Sequence, residues 1–206
     1  MDSIIFDVDG TLWDSTEIVA RSWENYLRNE EHINIHLTSD RLKSLFGQLL
    51  SDIAANLLPD LTKQEQLRIM DKCCQAEHKA LLKECAPLYP GLEETLKYLS
   101  DRFPLFIVSN CQAGYIEVFL KTTGFGHYFK GHLCPGDTGY AKAENILRIS
   151  EIYNLKDPVY VGDTQGDYNA CQKAGIPFIF ASYGFGKVEH PWKTINTPSD
   201  LISICK

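Results

Sequence analysis

A short apolar segment near the N-terminus ends in two acidic residues separated by one position. Residues 4–6 are Ile-Ile-Phe, and residues 7–11 read Asp-Val-Asp-Gly-Thr. A hydrophobic strand that ends in carboxylates and a glycine turn places negative charge at the edge of a sheet where open α/β folds bind ligands. Because two desolvated acids are costly without compensation, Asp7 and Asp9 predict a cation and a chemical reaction at this edge.

Composition narrows the expected partners. The chain has 206 residues, a formal net charge of −7 and 44% hydrophobic residues, as in a globular protein with a real core. No dense Lys/Arg cluster is present, so we expect neither nucleic acid nor a membrane surface as a partner. No signal-like segment begins the sequence, and no apolar run approaches ~18 residues, so we expect a cytoplasmic protein. A small molecule is the expected partner of a monomer or homodimer.

The order of apolar and amphipathic segments predicts an α/β fold. Strand-like runs lie at 3–8, 105–108, 159–161 and 176–181, with a weaker one near 128–133. Helical patterns lie at 92–100, 114–122, 141–153, 167–173 and 199–204. Strands that alternate with helices form parallel βαβ units, so we expect a Rossmann-like parallel sheet with helices on both faces.

One long segment departs from this alternation. From Asp14 to about Cys85 the pattern is helical throughout, in amphipathic stretches at 17–29, 39–58 and 62–82. This is far longer than a normal crossover between two strands. We therefore expect residues 1–13 and 86–206 to form a Rossmann-like catalytic core, and residues 14–85 to form an inserted, all-helical cap domain.

Three further groups of polar residues follow the later strands or begin later helices. They are Ser109 with Asn110, then Lys142, then Asp163 with Asp167 four positions later. Together with residues 7–11, and in this order, they resemble the four motifs of the haloacid dehalogenase-like superfamily. The inserted helices resemble the subgroup that contains phosphoglycolate phosphatase and β-phosphoglucomutase. The resemblance implies a Mg²⁺-dependent enzyme that acts on a small phosphorylated metabolite.

The residue types suit phosphoryl transfer, which needs a nucleophile, a proton donor for the leaving oxygen and positive charge around the transferred group. Asp7, at the strand tip, is the candidate nucleophile and would form an aspartyl-phosphate. Asp9 points the same way in an extended segment, so it is the candidate that protonates the leaving alcohol and then activates water. Lys142 is the candidate cation that compensates the acids and the phosphate.

Small polar residues and backbone amides are the candidates for holding the phosphate group. Gly10 permits a sharp turn with free amides, and the hydroxyl and amide side chains add donors; the remaining candidates are Thr11, Ser109, Asn110 and Lys142.

Carboxylate oxygens suit Mg²⁺. The resemblance implies that Asp7 and the backbone carbonyl of Asp9 bind this ion, and Asp163 is the expected third ligand. Asp167 binds the metal directly, binds it through water, or orients Lys142.

Several other reactions are compatible with the superfamily. Dehalogenases and phosphonate hydrolases replace the second acid of the first motif, so Asp9 argues against both. Sugar phosphomutases similar to β-phosphoglucomutase remain an alternative, although residues 16–20 lack the histidine and residues 46–48 lack the arginine that they usually carry. A receiver-like signalling protein, or a non-catalytic phosphate-binding protein, is the alternative of another class. The sequence favours a phosphomonoester hydrolase similar to phosphoglycolate phosphatase.

We expect the cap to select the substrate, because it closes over the core and contacts the leaving group. Phe46, Gly47 and Gln48 are the candidates for lining the pocket. Three cap cations would meet an acidic substrate: Arg41, Lys43 and Lys79.

Overall fold

The computed structural model describes residues 1–205; Lys206, the last residue of the expected core, lies outside the described residues. Within them, six strands form one parallel sheet: β1 (Ser3–Phe6), β2 (Leu105–Val108), β3 (Phe129–Leu133), β4 (Pro158–Gly162), β5 (Phe178–Ala181) and β6 (Lys193–Ile195). The order across the sheet is β3-β2-β1-β4-β5-β6. The chain therefore changes direction across the sheet at the central β1, which is where open α/β sheets bind ligands.

Helices separate most of these strands, which confirms the predicted α/β class. They are α1 (Thr16–Glu30), α2 (Ser39–Lys43), α3 (Leu50–Leu57), α4 (Lys63–Lys83), α5 (Leu92–Ser100), α6 (Tyr115–Thr123), α7 (Pro135–Thr138), α8 (Lys142–Ile152), α9 (Gln165–Ala174) and α10 (Asp200–Ile204). Helices α1 to α4 form a helical segment inserted between β1 and β2. The bounds 14–85 of a separate cap domain stay a prediction. In residues 1–205, no helix combines the length and the apolar character that a membrane crossing requires.

The central strands are buried on both faces, as their continuous apolar sequences lead one to expect for a covered parallel sheet. Side chains alternate between the faces: Ile4 and Phe6 join one apolar cluster, and Ile5 joins the other. Residues of α5 and α6 pack in the first cluster, and residues of α8 and α9 pack in the second. Both faces of the sheet are thus covered by helices.

The structure differs from the predicted elements in several places, and the short α7 is absent from the predicted set. The first strand ends at Phe6 instead of residue 8, because the amides of residues 11, 12 and 13 all turn back to the Val8 carbonyl oxygen. The stretch 39–58 is divided into α2 and α3 by a turn at Gly47, whose φ is +87°. Strand β6 is absent from the predicted set; it has three residues, of which two are exposed, so it lacks an apolar signature.

The two chain segments that join the core to the inserted helices run beside each other. Trp13 forms a bridge with Leu88 on the returning segment, and the Asp14 amide donates to the Pro87 carbonyl oxygen at 2.9 Å. The Trp13 ring is fully buried and packs edge-on against Phe119 of α6, with 5.0 Å between ring centroids. This junction is therefore part of the apolar core.

Candidate active site

The predicted site residues of the core meet at the carboxyl edge of the sheet. Asp7 follows β1, Ser109 follows β2 and Asp163 follows β4. Phe6 is in register with Ile107 on one side and with Val161 on the other, so the three strands end at nearly the same level. Parallel strands in register bring residues that are far apart in the sequence to one place.

Lys142 joins two of the acids. It is the first residue of α8, and its Nζ atom lies 2.9 Å from Asp7 Oδ1 and 2.5 Å from Asp167 Oδ1. All three side chains are buried, with exposed fractions of 3% or less. Burial lowers the pKa of the Lys142 ammonium, but the Asp167 and Asp7 carboxylates outweigh this effect and raise the pKa above its usual value. Lys142 is therefore a fixed positive charge.

This one cation faces several buried acids. Burial raises the pKa of Asp7 to about 6, against the opposing effect of Lys142. Burial, followed by the charges of Asp167 and Asp7, raises the pKa of Asp163 well above its ordinary value. The site therefore has an excess of negative charge that a further cation would relieve.

The oxygen atoms of the cluster fit a divalent cation. Atoms of Asp7, Asp163 and Asp167 all lie within 4.8 Å of one another. Asp163 Oδ2 accepts the Phe185 amide at 2.7 Å, whereas Asp163 Oδ1 is buried and has no hydrogen-bond partner among residues 1–205. A buried carboxylate oxygen without a donor is costly, and a hard cation such as Mg²⁺ would satisfy it. The donor set is therefore suited to the implied metal.

Asp167 is already held through both of its oxygens. Oδ1 accepts from Lys142, and Oδ2 accepts from the Thr164 amide at 2.9 Å and from the Thr164 hydroxyl at 2.7 Å. The Thr164 hydroxyl in turn accepts the Asp167 amide, which closes a capping box at the start of α9. Of the three roles expected for Asp167, this geometry fits the orientation of Lys142 best.

The Asp9 side chain does not belong to the cluster of three acids and is oriented by three donors. Its Oδ1 atom accepts from Trp13 Nε1 at 3.0 Å, from Ser15 Oγ at 2.6 Å and from the Tyr115 hydroxyl at 2.7 Å. Burial raises the pKa of Asp9 to about 7 although these hydrogen bonds lower it. The side chain is thus held at one position in the wall of the cavity beside Asp7.

Gly10 cannot carry a side chain in this arrangement. Its φ is +77°, and a Cβ atom there would lie 2.1 Å from Asp163 Oδ2. Two polar atoms of the expected phosphate-binding set, Thr11 Oγ1 and Asn110 Oδ1, are buried without a hydrogen-bond partner in residues 1–205. Thr11 Oγ1 can donate to an anion, but Thr11 does not line the cavity beside Asp7. Asn110 lines that cavity and can bind an anion only through Nδ2, because Oδ1 is an acceptor.

A cavity of about 40 Å³ lies between this edge and the inserted helices. The core contributes Asp7, Asp9, Ser109, Asn110, Cys111, Gln112 and Tyr115 to its wall. Asn110 Nδ2 also donates to the Gly47 carbonyl oxygen at 2.9 Å, which joins β2's end to the inserted segment. Because the cavity holds only a few water molecules, a larger ligand requires the inserted helices to move.

The expectations for the cap residues are met only in part. Phe46 and Gly47 line the cavity, but Gln48 does not. The three cations expected to meet an acidic substrate are not in its wall: Arg41 binds Asn56, Lys43 pairs with Asp14 at 2.9 Å, and Lys79 is exposed. Their charges are satisfied on the surface, where helix-face cations are usually solvated.

Several wall residues are absent from the predicted set, namely Trp23, Leu50, Ile53, Glu77, Gln112 and Tyr115. The sequence pattern around Glu77 could have predicted its burial. It lies on the buried stripe of α4, at helical spacing from Cys73, Cys74 and Leu81. A charged residue on an otherwise apolar stripe indicates either a buried partner or a ligand.

Comparison with known proteins finds the family that the four sequence motifs resemble. The family model for haloacid dehalogenase-like hydrolases matches residues 4–181. A phosphoglycolate phosphatase from Aquifex aeolicus is 28% identical over 212 residues, which cover 98% of this chain and 95% of that protein. A haloacid dehalogenase-like hydrolase from Streptococcus pneumoniae has a similar structure, with a TM-score of 0.86, 22% identity and coverage of 100% and 99%. A protein described as a predicted phosphoglycolate phosphatase from Haemophilus somnus gives a TM-score of 0.86, 21% identity and coverage of 100% and 98%.

Proposed function

The chain belongs to the haloacid dehalogenase-like hydrolase family, and on this premise we propose that it is a Mg²⁺-dependent phosphatase that hydrolyses a small phosphomonoester through an aspartyl-phosphate. The observation that carries the proposal is the buried arrangement of Asp7, Lys142 and Asp163 at the carboxyl edge of the sheet. Relatives that are phosphoglycolate phosphatases support a small phosphorylated substrate.

Asp7 acts first, as the nucleophile. One of its carboxylate oxygens attacks phosphorus and forms an O–P bond, while the P–O bond to the alcohol breaks. The departing alkoxide takes a proton from the Asp9 carboxyl, which the hydroxyls of Ser15 and Tyr115 and the Trp13 indole hold in place. The products of this step are the free alcohol, ionised Asp9 and phosphorylated Asp7.

Asp9 acts again in the second step. Its carboxylate accepts a proton from water as the water oxygen attacks phosphorus. The bond between phosphorus and the Asp7 oxygen breaks, which releases inorganic phosphate and restores the Asp7 carboxylate. Asp9 is protonated again, so the enzyme returns to its starting state.

The charge that spreads over the phosphoryl oxygens requires fixed positive charge and donors. Lys142 supplies the charge, because Asp167 and Asp7 hold its ammonium in place. The hydroxyls of Ser109 and Thr11, with the Asn110 side chain, are the proposed phosphate ligands.

Mg²⁺ would be held by Asp7, Asp163 and the backbone carbonyl of Asp9, and it supplies charge neutralisation that lets the phosphate dianion approach the nucleophile. Asp163 Oδ1, buried and unpartnered within residues 1–205, supports this assignment. In the proposal Asp167 orients Lys142.

The test is phosphate release from a generic aryl phosphate with added Mg²⁺. Wild-type protein should release phosphate and, after acid quenching, carry one phosphoryl group on the peptide that contains Asp7. Asp7→Asn should do neither while keeping its circular dichroism spectrum. Asp60→Asn, which removes an exposed carboxylate of the inserted segment, is the matched control. Normal turnover by Asp7→Asn would reject the proposed nucleophile.

A further inference from the structure

Glu77 places a buried carboxyl group in the part of the cavity wall that the inserted helices supply. It lies near the C-terminal end of α4 and is 2% exposed. The Trp23 indole N–H donates to one of its oxygens and the Gln112 side-chain amide donates to the other. Both oxygens therefore act as acceptors, as in an ionised carboxylate, and each keeps acceptor capacity for a further donor.

This carboxyl group has no cation to balance it. Among residues 1–205, Glu77 forms no ion pair, and the inserted helices contribute no lysine or arginine to the cavity wall. The His78 ring atom Nε2 lies 3.1 Å from the Gln112 side-chain nitrogen Nε2. Burial lowers the pKa of His78 and thus favours its neutral form, so His78 does not supply a positive charge. Burial, and to a lesser degree the charge of Asp9, raises the pKa of Glu77 to about 8. The wall is thus short of positive charge.

The position of Glu77 relative to Asp7 and Asp9 indicates which part of a substrate lies near it. Under the proposed function, phosphorus lies at Asp7 and the leaving oxygen lies at Asp9. Glu77 and Trp23 line the same cavity as these two acids but belong to the inserted helices. Glu77 is the one ionisable side chain that the inserted helices contribute to this wall, so it is the charged group available there to the rest of a leaving alcohol.

We propose that Glu77 determines specificity by selecting a leaving alcohol that carries a hydroxyl or ammonium donor and by rejecting one that carries a carboxylate. The inference rests on the proposed phosphatase function. A donor satisfies the free acceptor capacity of Glu77. Above the pKa of Glu77, where its carboxyl group is ionised, a carboxylate on the alcohol places like charges side by side in a dry cavity, which is strongly unfavourable. The chain therefore departs from relatives named for phosphoglycolate, whose leaving group carries a carboxylate.

Three esters of matched length separate these cases: 2-hydroxyethyl phosphate, 2-aminoethyl phosphate and 2-phosphoglycolate. They share the phosphate and differ in the group at the other end of the alcohol. For the wild-type protein with Mg²⁺ at roughly pH 9, where Glu77 is ionised, kcat/KM should be at least about tenfold higher for the hydroxyl or the ammonium ester than for the carboxylate ester. The comparison between the first two shows whether hydrogen bonding alone or positive charge is preferred.

Glu77→Gln keeps the shape of the side chain and removes its charge. We expect it to lower kcat/KM for the preferred ester mainly through KM, and to raise relative activity towards 2-phosphoglycolate by about fivefold or more. Glu84→Gln makes the same chemical change just beyond the end of α4, at an exposed residue that pairs with Arg21, and should leave the preference unchanged.

The outcomes distinguish this inference from the function on which it rests. Phosphate release with 2-phosphoglycolate as the best of the three esters, or an unchanged preference in a folded Glu77→Gln, would overturn the role of Glu77 alone. Absence of turnover for all three esters and for p-nitrophenyl phosphate would overturn the proposed phosphatase function and this inference with it. If Glu77→Gln fails to fold, the wild-type comparison still decides.

Discussion

Lys142 Nζ lies 2.9 Å from Asp7 Oδ1, with both side chains buried at the end of the central strand. Because the same ammonium also binds Asp167, its removal leaves several buried acids without a cation. We expect Lys142→Met to lower turnover by at least about 100-fold and the free energy of unfolding, without metal, by about 3–5 kcal/mol. Urea denaturation and phosphate release measure the two effects.

Lys173→Met is the control for this variant, since Lys173 is an exposed residue near the end of α9. It should change neither quantity appreciably. Turnover by Lys142→Met within twofold of the control would show that the buried cation does not serve catalysis.

Gly10 and Gly124 have almost the same backbone conformation but very different surroundings. Their φ values are +77° and +76°, yet a Cβ atom at Gly10 meets Asp163 at 2.1 Å and one at Gly124 meets nothing within 4 Å. Gly124→Ala should therefore cost only the conformational strain, about 1–2 kcal/mol. Gly10→Ala should cost more and should also weaken Mg²⁺-dependent turnover, because Asp163 must move. Equal losses of stability and activity in the two variants would contradict the proposed contact.

Mg²⁺ and Asp163 should be linked in thermal stability. If the ion binds the folded state, the midpoint of thermal unfolding should rise with Mg²⁺ concentration. Asp163→Asn should lose most of this rise, and in chelator it should be more stable than wild type because the cost of burying an ionisable carboxyl group beside other acids is removed. Asp60→Asn is again the control and should keep the full response. A rise in Asp163→Asn equal to that of wild type would place the ion elsewhere.

Glu77 should make stability depend on pH. Its pKa is raised from 4.5 to about 8 in the folded chain, so between these values the folded state binds more protons than the unfolded state. The free energy of unfolding should therefore fall as pH rises through this window, by a few kcal/mol at about 1.4 kcal/mol per pKa unit. Glu77→Gln should remove this contribution and so become more stable than wild type at pH 8.5.

Other groups near Glu77 also titrate, namely Asp9, His78, Tyr115, Cys73 and Cys74. The informative quantity is therefore the difference between wild type and Glu77→Gln at each pH, with Glu84→Gln as reference. If the free energy of unfolding depends on pH in the same way in wild type and in Glu77→Gln, the prediction is contradicted.

The sequence predicted the fold class and the family because both depend on local patterns. Apolar runs followed by Asp7, Ser109 and Asp163 mark strand ends, and strand ends of a parallel sheet share one edge. These residues meet as expected, together with Lys142 at the start of α8, while their catalytic roles stay predictions.

What the sequence did not predict depends on how separate elements face each other. The periodicity of α4 shows that Glu77 is on the buried stripe, but the partner of that stripe is set by tertiary packing. The prediction that Arg41, Lys43 and Lys79 line the pocket is not met for the same reason, because helical spacing does not indicate which side of a helix faces the core. Strand β6 is not predicted because an edge strand of three residues, two of them exposed, has no apolar pattern that distinguishes it from a loop.

The paired segments at Trp13 and Leu88 define where the inserted helices are attached to the core. Both crossings of the chain are tied together and anchored in the apolar core. We therefore expect the four inserted helices to rotate about this junction when a ligand enters. The hydrogen bond from Asn110 to the Gly47 carbonyl oxygen is a contact that this rotation would break. We therefore expect the gap between the inserted helices and the core to be widest at the Gly47 turn and narrowest at Trp13. Esters would then enter from the side opposite the junction of the paired segments.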